Sequence, residues 1–356
     1  MGDILHALPA VTALRIAHPS WVIDWVVQPQ WRALLAADER GDAEPHGVVQ
    51  PLVDRIYLAP TKEWGRNLLS PKTLAGIRAL RIALRAGHYD TVLDLQGAVR
   101  SAVVGRLAGC RRLVGEIEPR ERAARLLFSE RVPTKGVHVI EQDLELASAV
   151  AGDALTYTRP LLPVDDAAEA WCDQLLSIAA NNQANASAQP IALINPGAGW
   201  GAKRWPAERF GFVAKGLAER GFRVFVNAGP AEQSLTDVVV HIAAGAATPL
   251  ACSLGQLIAL TRRAALVIAG DTGPLHLACA LGRPVVGIYG PTDPGRNGPY
   301  GSPFKVLRSA ESRKDHSRRS KPEAGLLTIK PEDVLQAADA LLREITDGAT
   351  QAESAR

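Results

Sequence analysis

The chain is 356 residues long, which is room for two domains of ordinary size. Hydrophobic residues make up 47% and charged residues 22%, with few aromatics, the balance of an α/β protein. A net charge of +3 gives no reason to expect nucleic acid as a partner, and no apolar run reaches the ~18–20 residues of a membrane-spanning helix. Cys110, Cys172, Cys252 and Cys279 lie too far apart for CxxC metal ligation and are expected to be small buried hydrophobes of a reducing cytoplasm.

Taken in order, "ILHALPAVTALRIAH" (4–18) has the period of an amphipathic helix and "WVIDWVV" (21–27) that of a strand. A helix at 72–87 leads into the strand "DTVLDL" (90–95), a helix over 97–109 ends at glycine, and "RRLVG" is a short strand. Helices follow at 120–128 and 138–151, then a Pro-bearing linker (158–166), a helix to 180 and the small polar loop "NNQANASAQ" (181–189). The alternation restarts with the strand in "PIALINPGAG" (190–199), a helix 206–220, the strand "FRVFVNAG" (222–229) and helices 231–244 and 254–262. "AALVIA" (264–269) and "VVGIY" (285–289) are short β-branched runs, the mark of buried parallel strands, with a Pro-started helix between them. The stretch 311–323 is a charged loop expected on the solvated surface, and "KPEDVLQAADALLREI" (330–345) is a capped terminal helix. Two blocks of alternating β and α predict an α/β protein of two doubly wound domains with a cleft between them. The domains are expected at 1–157 and 190–330, with a linker and connecting helix over 158–189 and a terminal helix and tail over 331–356.

Ligands of such sheets bind beyond the carboxyl ends of the strands, so the residues there are the candidates. No GxGxxG follows a strand, and neither GxxxxGK[ST] nor GxSxG occurs, which leaves a nicotinamide site, a P-loop or a hydrolase elbow without support. "PGAGWGAKRWP" after the strand at 191 is small and Gly-rich and carries Lys203 beside a helix start, suited to a diphosphate or simply a flexible loop. Gly229 and Glu232 close the next strand, where an acid can hold ribose hydroxyls. Asp271, Thr272, Gly273 and His276 open the helix of "GDTGPLHLACALGRP". Asp271 or Thr272 either caps that helix or faces a ligand, and the free N–H groups of Gly273–His276 suit a phosphate. In the first domain Asp3 is the candidate base or an N-terminal helix acid, with His6 one turn on. Arg100 and Arg120 suit an anionic acceptor or are simply solvated, and His138 and Glu141 open a later helix.

The segments "MGDILHALPAV", "DLQGAVRSA", "AKRWPAERF", "GDTGPLHLACALGRPVVGIYGPTDPGRNGPYG" and "IKPEDV", in this order over nearly the whole chain, resemble the bacterial ADP-heptose:lipopolysaccharide heptosyltransferases of glycosyltransferase family 9. The Asp-Thr-Gly-x-x-His block with "YGPTDP" is the most specific part. The resemblance implies the GT-B architecture, two Rossmann-like domains facing a cleft, the first for the acceptor and the second for the nucleotide sugar. It implies inverting, metal-independent transfer of heptose from ADP-heptose to the Kdo/heptose inner core of lipid A, without a cofactor, in the cytoplasm or peripherally at the inner membrane. Asp3 is then the general base, Lys203 the cation on the leaving ADP, and Asp271, Thr272, Gly273, His276, Gly229 and Glu232 the donor site. The family's strand ahead of "MGD" is missing from this chain, so the first sheet is expected to lack a central strand. Another nucleotide sugar or glycan acceptor, or a silent nucleotide-sugar binder, is the alternative on the same fold.

Overall fold

The computed structural model describes residues 1–37, 52–181, 189–229, 232–313 and 320–354, which form two compact units, Asp3–Pro163 and Val164–Arg356. Most of the loop expected over 181–189, the first residue of the helix expected at 231–244 and the middle of the charged loop 311–323 lie outside the described residues.

The first unit runs α1 (Gly2–Ala17), β1 (Asp24–Val27), β2 (Arg55–Leu58), α2 (Thr61–Arg66), α3 (Pro71–Ala86), β3 (Thr91–Leu93), α4 (Val99–Leu107), β4 (Arg112–Glu116), β5 (Glu130–Val132) and α5 (Val139–Ala151). All pairings are parallel: β1 with β2, and separately β3–β4–β5. The helix expected at 120–128 is a single 3₁₀ turn, Arg122–Leu126. The helix expected to be amphipathic, α1, is instead buried at every residue from Leu5 to Arg15. Its polar members are accommodated individually. The Arg15 guanidinium donates to the carbonyls of Leu52, Pro19 and Trp21 at 3.3, 3.2 and 2.7 Å and to Asp54 Oδ2 at 2.6 Å. A buried guanidinium is tolerated where its donors find such acceptors.

The second unit runs α6 (Asp166–Asn181), β6 (Ile191–Asn195), α7 (Ala207–Glu219), β7 (Arg223–Asn227), α8 (Gln233–Ile242), β8 (Ala247–Leu250), α9 (Leu254–Arg263), β9 (Leu266–Gly270), α10 (Gly273–Ala280), β10 (Val285–Tyr289), α11 (Pro294–Asn297), β11 (Phe304–Arg308) and α12 (Pro331–Ser354). Its six parallel strands lie in the order β8-β7-β6-β9-β10-β11. Numbered from β6, that is 3-2-1-4-5-6, the dinucleotide-fold order, and the winding reverses between β6 and β9. All residues of β6, β9 and β10 are buried, as expected for strands covered by helices on both faces. Phe210, Leu217, Val239, Ile268, Val286, Leu326 and Leu341 belong to one core. Trp205 joins it and donates its indole N–H to Ile329 O at 3.2 Å. The terminal helix extends well past the expected 345, to Ser354.

All four cysteines are free; Cys172 and Cys279 are buried as expected, whereas Cys110 and Cys252 are only partly so. No described helix is long and apolar enough to cross a membrane.

Two glycines test the backbone reading with opposite signs. Gly97 has φ +62°, and a Cβ there would stand 2.9 Å from Arg120 N and 3.3 Å from Pro119 Cβ. Gly97→Ala is expected to destabilise the first unit by about 1–3 kcal/mol. Gly65 lies inside α2 with open space around it, so Gly65→Ala should stabilise by about 0.5–1 kcal/mol. Urea melts of the two variants measure both.

Candidate functional site

In an open parallel sheet the two strands at the winding reversal send their following loops apart, leaving a crevice beyond their carboxyl ends. Here those loops carry Lys203, in the 3₁₀ turn Gly201–Lys203 after β6, and Asp271, directly after β9. The Lys203 ammonium donates to Asp271 Oδ2, and His276 Nε2 lies 3.2 Å from Asp271 Oδ1. The side chains are only 11%, 7% and 6% exposed for Lys203, Asp271 and His276, so the cluster sits in low dielectric. Burial alone would push the Asp271 carboxyl up. The hydrogen bond to His276 and the charge of Lys203 overcome it and hold the carboxyl well below its ordinary value of 3.8. The Trp200 ring lies 4.2 Å from Lys203 Nζ and adds a cation–π contact.

The Lys203 turn is held by the chain around 320–328. A Cβ on Gly201 would stand 1.8 Å from Ser320 O, and Glu323 N donates to Ala202 O at 3.2 Å. The Glu323 carboxylate accepts from Ser312 Oγ at 2.9 Å and Leu326 N at 3.2 Å. The described ends of the stretch 311–323 are mostly exposed, as expected, but Ser312 is buried and Glu323 anchors the brace.

Neither Asp271 nor Thr272 caps α10 with its side chain. Both Asp271 oxygens are engaged by Lys203 and His276, and Thr272 is the N-cap without a side-chain cap bond, its hydroxyl donating to Gly270 O at 3.3 Å. The expected amide cradle is also narrower. Pro274 has no N–H, and His276 N donates to Thr272 O at 3.4 Å, leaving Gly273 and Leu275.

Glu232 fastens two strand ends together. Its carboxylate accepts from Ala198 N at 3.2 Å and Gly229 N at 3.3 Å and pairs with Arg204 at 3.6 Å. A Cβ on Gly197 would fall 2.1 Å from it. Beneath lies a pair that the sequence reading missed. Asn195 and Asn227, the last residues of β6 and β7, are buried, with Asn227 Nδ2 donating to Asn195 Oδ1 at 3.2 Å. Asn195 Nδ2 is buried with no partner among the described residues. The signal was present in "IALIN" and "VFVN", two apolar runs that each end in asparagine.

The first unit holds a separate polar corner around Asp3, in the first turn of α1. Gln96 Nε2 and Arg120 Nη1 both donate to Asp3 Oδ2, at 2.9 and 3.2 Å. The loops that carry these donors are knitted together. Asp94, buried at the end of β3, accepts from the amides of Gln96 and Gly97 at 2.9 Å and from Ser101 Oγ at 2.8 Å. Burial holds its carboxyl up. Glu121 N donates to Gly97 O at 2.9 Å, and the Glu121 carboxylate accepts from Val99 N at 2.8 Å at the start of α4. Gln96 was missed in the sequence because a lone glutamine in a loop has no signature. Arg100 is exposed and makes no ion pair among the described residues, so it is not brought to Asp3. His138 and Glu141 do open α5: His138 Nδ1 accepts from Ile140 N at 3.2 Å and Glu141 accepts from His138 N at 3.0 Å. The buried His6 ring packs edge-on against His138 at 5.8 Å.

Chemically, the second unit offers a buried cation with helix amides, suited to charge on a diphosphate, and the first a carboxylate whose Oδ1 accepts no hydrogen bond among the described residues. Among the described residues no three His, Cys, Asp or Glu side chains gather as a metal site requires.

Known proteins resemble the chain over most of its length. A family model described as glycosyltransferase family 9 (heptosyltransferase) matches residues 77–326. Lipopolysaccharide heptosyltransferase 1 of Escherichia coli (strain K12) is 29% identical over 352 residues, covering 96% of this chain and 97% of that protein. The protein of the same name from Pseudomonas aeruginosa is 30% identical over 307 residues, 85% of this chain and 79% of its own. The solved structure of E. coli heptosyltransferase WaaC with ADP-2-deoxy-2-fluoro heptose superposes with a TM-score of 0.72 at 27% identity, covering 96% of each chain. The GT-B class expected from the resemblance stands, and the chain belongs to glycosyltransferase family 9, the heptosyltransferases.

Proposed function

We propose that the chain transfers heptose from ADP-heptose to the Kdo/heptose inner core of lipid A at the cytoplasmic face of the inner membrane, with inversion and without a metal. The first unit takes the acceptor and the second the donor. The acceptor hydroxyl oxygen bonds to C1 of the sugar as the bond from C1 to the diphosphate oxygen breaks. The hydroxyl proton passes to the Asp3 carboxylate, and ADP leaves with its growing charge met by Lys203 and the Gly273 and Leu275 amides. Asp271 orients Lys203, while Gly229, Glu232, Thr272 and His276 complete the donor site. Arg120 and Arg100 meet the anionic acceptor. The observation that carries this reading is the buried Lys203–Asp271–His276 cluster at the winding reversal of a family 9 chain. The relatives' names, lipopolysaccharide heptosyltransferase 1, support the acceptor class, and the ADP-heptose analogue bound to WaaC supports the donor.

A single-turnover assay with ADP-heptose and a Kdo-lipid A acceptor tests the whole reading. Release of ADP with heptosylated product supports it, and ADP binding without release leaves a silent binder.

Lys203→Ala is expected to lower kcat about 10²–10³-fold, equivalent to about 2.7–4 kcal/mol, with a much smaller change in ADP Kd. An unchanged kcat with a raised donor KM would confine Lys203 to ground-state binding.

Asp3→Asn keeps an acceptor oxygen for Gln96 and Arg120 but not the base, so transfer should fall about 10²–10⁴-fold while ADP still binds. EDTA is expected to leave activity intact, because Lys203 and the α10 amides already supply positive charge. Loss in EDTA restored by magnesium or manganese would refute metal independence.

A further inference from the structure

The first unit has a surface that none of the chemistry above uses. The inward stripe of α3, Thr73, Leu80 and Leu84, is buried, with Leu80 and Leu84 in a core that also receives Trp64 of α2. That accounts for one side of the helix. On the opposite side Leu74, Arg78, Arg81, Ile82 and Arg85 follow at i, i+4, i+7, i+8 and i+11, which puts them within one arc, and all five are exposed. Leu74 and Ile82 are 54% and 60% exposed. The turn that enters the helix carries two more leucines, Leu68 at 59% and Leu69 at 90%.

Single exposed apolar residues need no explanation, but four of them sharing a helix face and its entry turn do. The charge around them narrows the choice of partner. From Asn67 to His88 there are four cations, Lys72, Arg78, Arg81 and Arg85, and no acid, so this stretch is more positive than the +3 of the whole chain. Among the described residues Arg78 and Arg81 are exposed and make no ion pair. Exposed leucines set among unpaired arginines on one helix arc match an interface that is apolar below and negative above, which is the headgroup boundary of an anionic bilayer. An acidic protein groove would require a matching shape, whereas a lipid surface needs only this composition.

We propose that α3 and its Leu68–Leu69 entry turn form a membrane-docking surface for anionic phospholipid, with the leucines entering the acyl boundary and the arginines meeting lipid phosphates. The inference goes beyond the transfer reaction and does not depend on the donor or the acceptor assigned above.

Flotation of the full chain with vesicles, without substrate, tests it. Vesicles containing phosphatidylglycerol should carry the protein and pure phosphatidylcholine should not, with binding weakened as salt is raised. Arg78→Gln with Arg81→Gln should lower the partition about 25-fold, at about fivefold for each cation removed. Leu68→Ser with Leu69→Ser should lower it about tenfold. Both variants should keep the parent melting temperature and ADP binding, since these side chains stand in solvent. A control pair on the second unit, Lys215→Gln with Arg343→Gln, should change little. The proposal is overturned if anionic vesicles fail to float the parent chain or if the control pair loses as much as the α3 pair. It is equally overturned if the α3 variants alter the oligomeric state by sedimentation, which would assign the face to a second copy of the chain.

Discussion

An ammonium and a carboxylate buried together are costly unless each finds its partners, and breaking such a pair costs about 3–5 kcal/mol. The Lys203–Asp271 contact imposes that constraint on the second unit. Lys203 is reached by a loop from β6 and Asp271 by the end of β9, so the contact ties together the two strands at which the winding reverses. His276 reaches Asp271 from α10 and adds the first turn of that helix to the same point. Around it, Gly201 leaves space for Ser320, and Glu323 anchors the chain that closes over Ala202. The charged cluster is thus held from three directions by backbone, which is what a donor of fixed geometry needs.

The parts legible in the sequence are those whose chemistry is local. β6, β9 and β10 are continuous apolar runs because helices cover both faces, and their boundaries follow the runs closely. β2, β5, β8 and β11 went unread. β5, β8 and β11 stand at sheet edges and β2 in a two-stranded pair, and "RIYL", "ERV", "ATPL" and "FKVLR" mix charge or proline into half-exposed strands. Arg15 made α1 look two-faced in sequence, whereas its acceptors include Leu52 and Asp54, far along the chain. No local pattern announces such a partner.

The candidate residues divide in the same way. Lys203, Asp271 and His276 were each visible as a residue type at a strand end, but their convergence is a property of the strand order. Glu232 was visible as an acid near Gly229; its grip on Ala198 was not, because it crosses from β7 to the loop after β6. At Asp3 the helix position was legible, and the two donors from the loops after β3 and β4 were not. Asp94 and Glu121 bind those loops into one piece, so Gln96 and Arg120 reach Asp3 from a shared frame.

The glycines of "PGAGWGAK" are not equivalent. Gly197 is bare because the Glu232 carboxylate occupies the place of a Cβ, and Gly201 because Ser320 does. Gly199, between them, has nothing within 4 Å. The loop is a span clamped at both ends and vacant at its centre. At 201 the obstacle is backbone and closes the position, whereas at 197 it is a carboxylate that would have to loosen its grip. At position 199 a Cβ would stand in open space, so a small side chain there leaves both clamps undisturbed. Substitution in this loop therefore meets the least resistance from the fold at its centre.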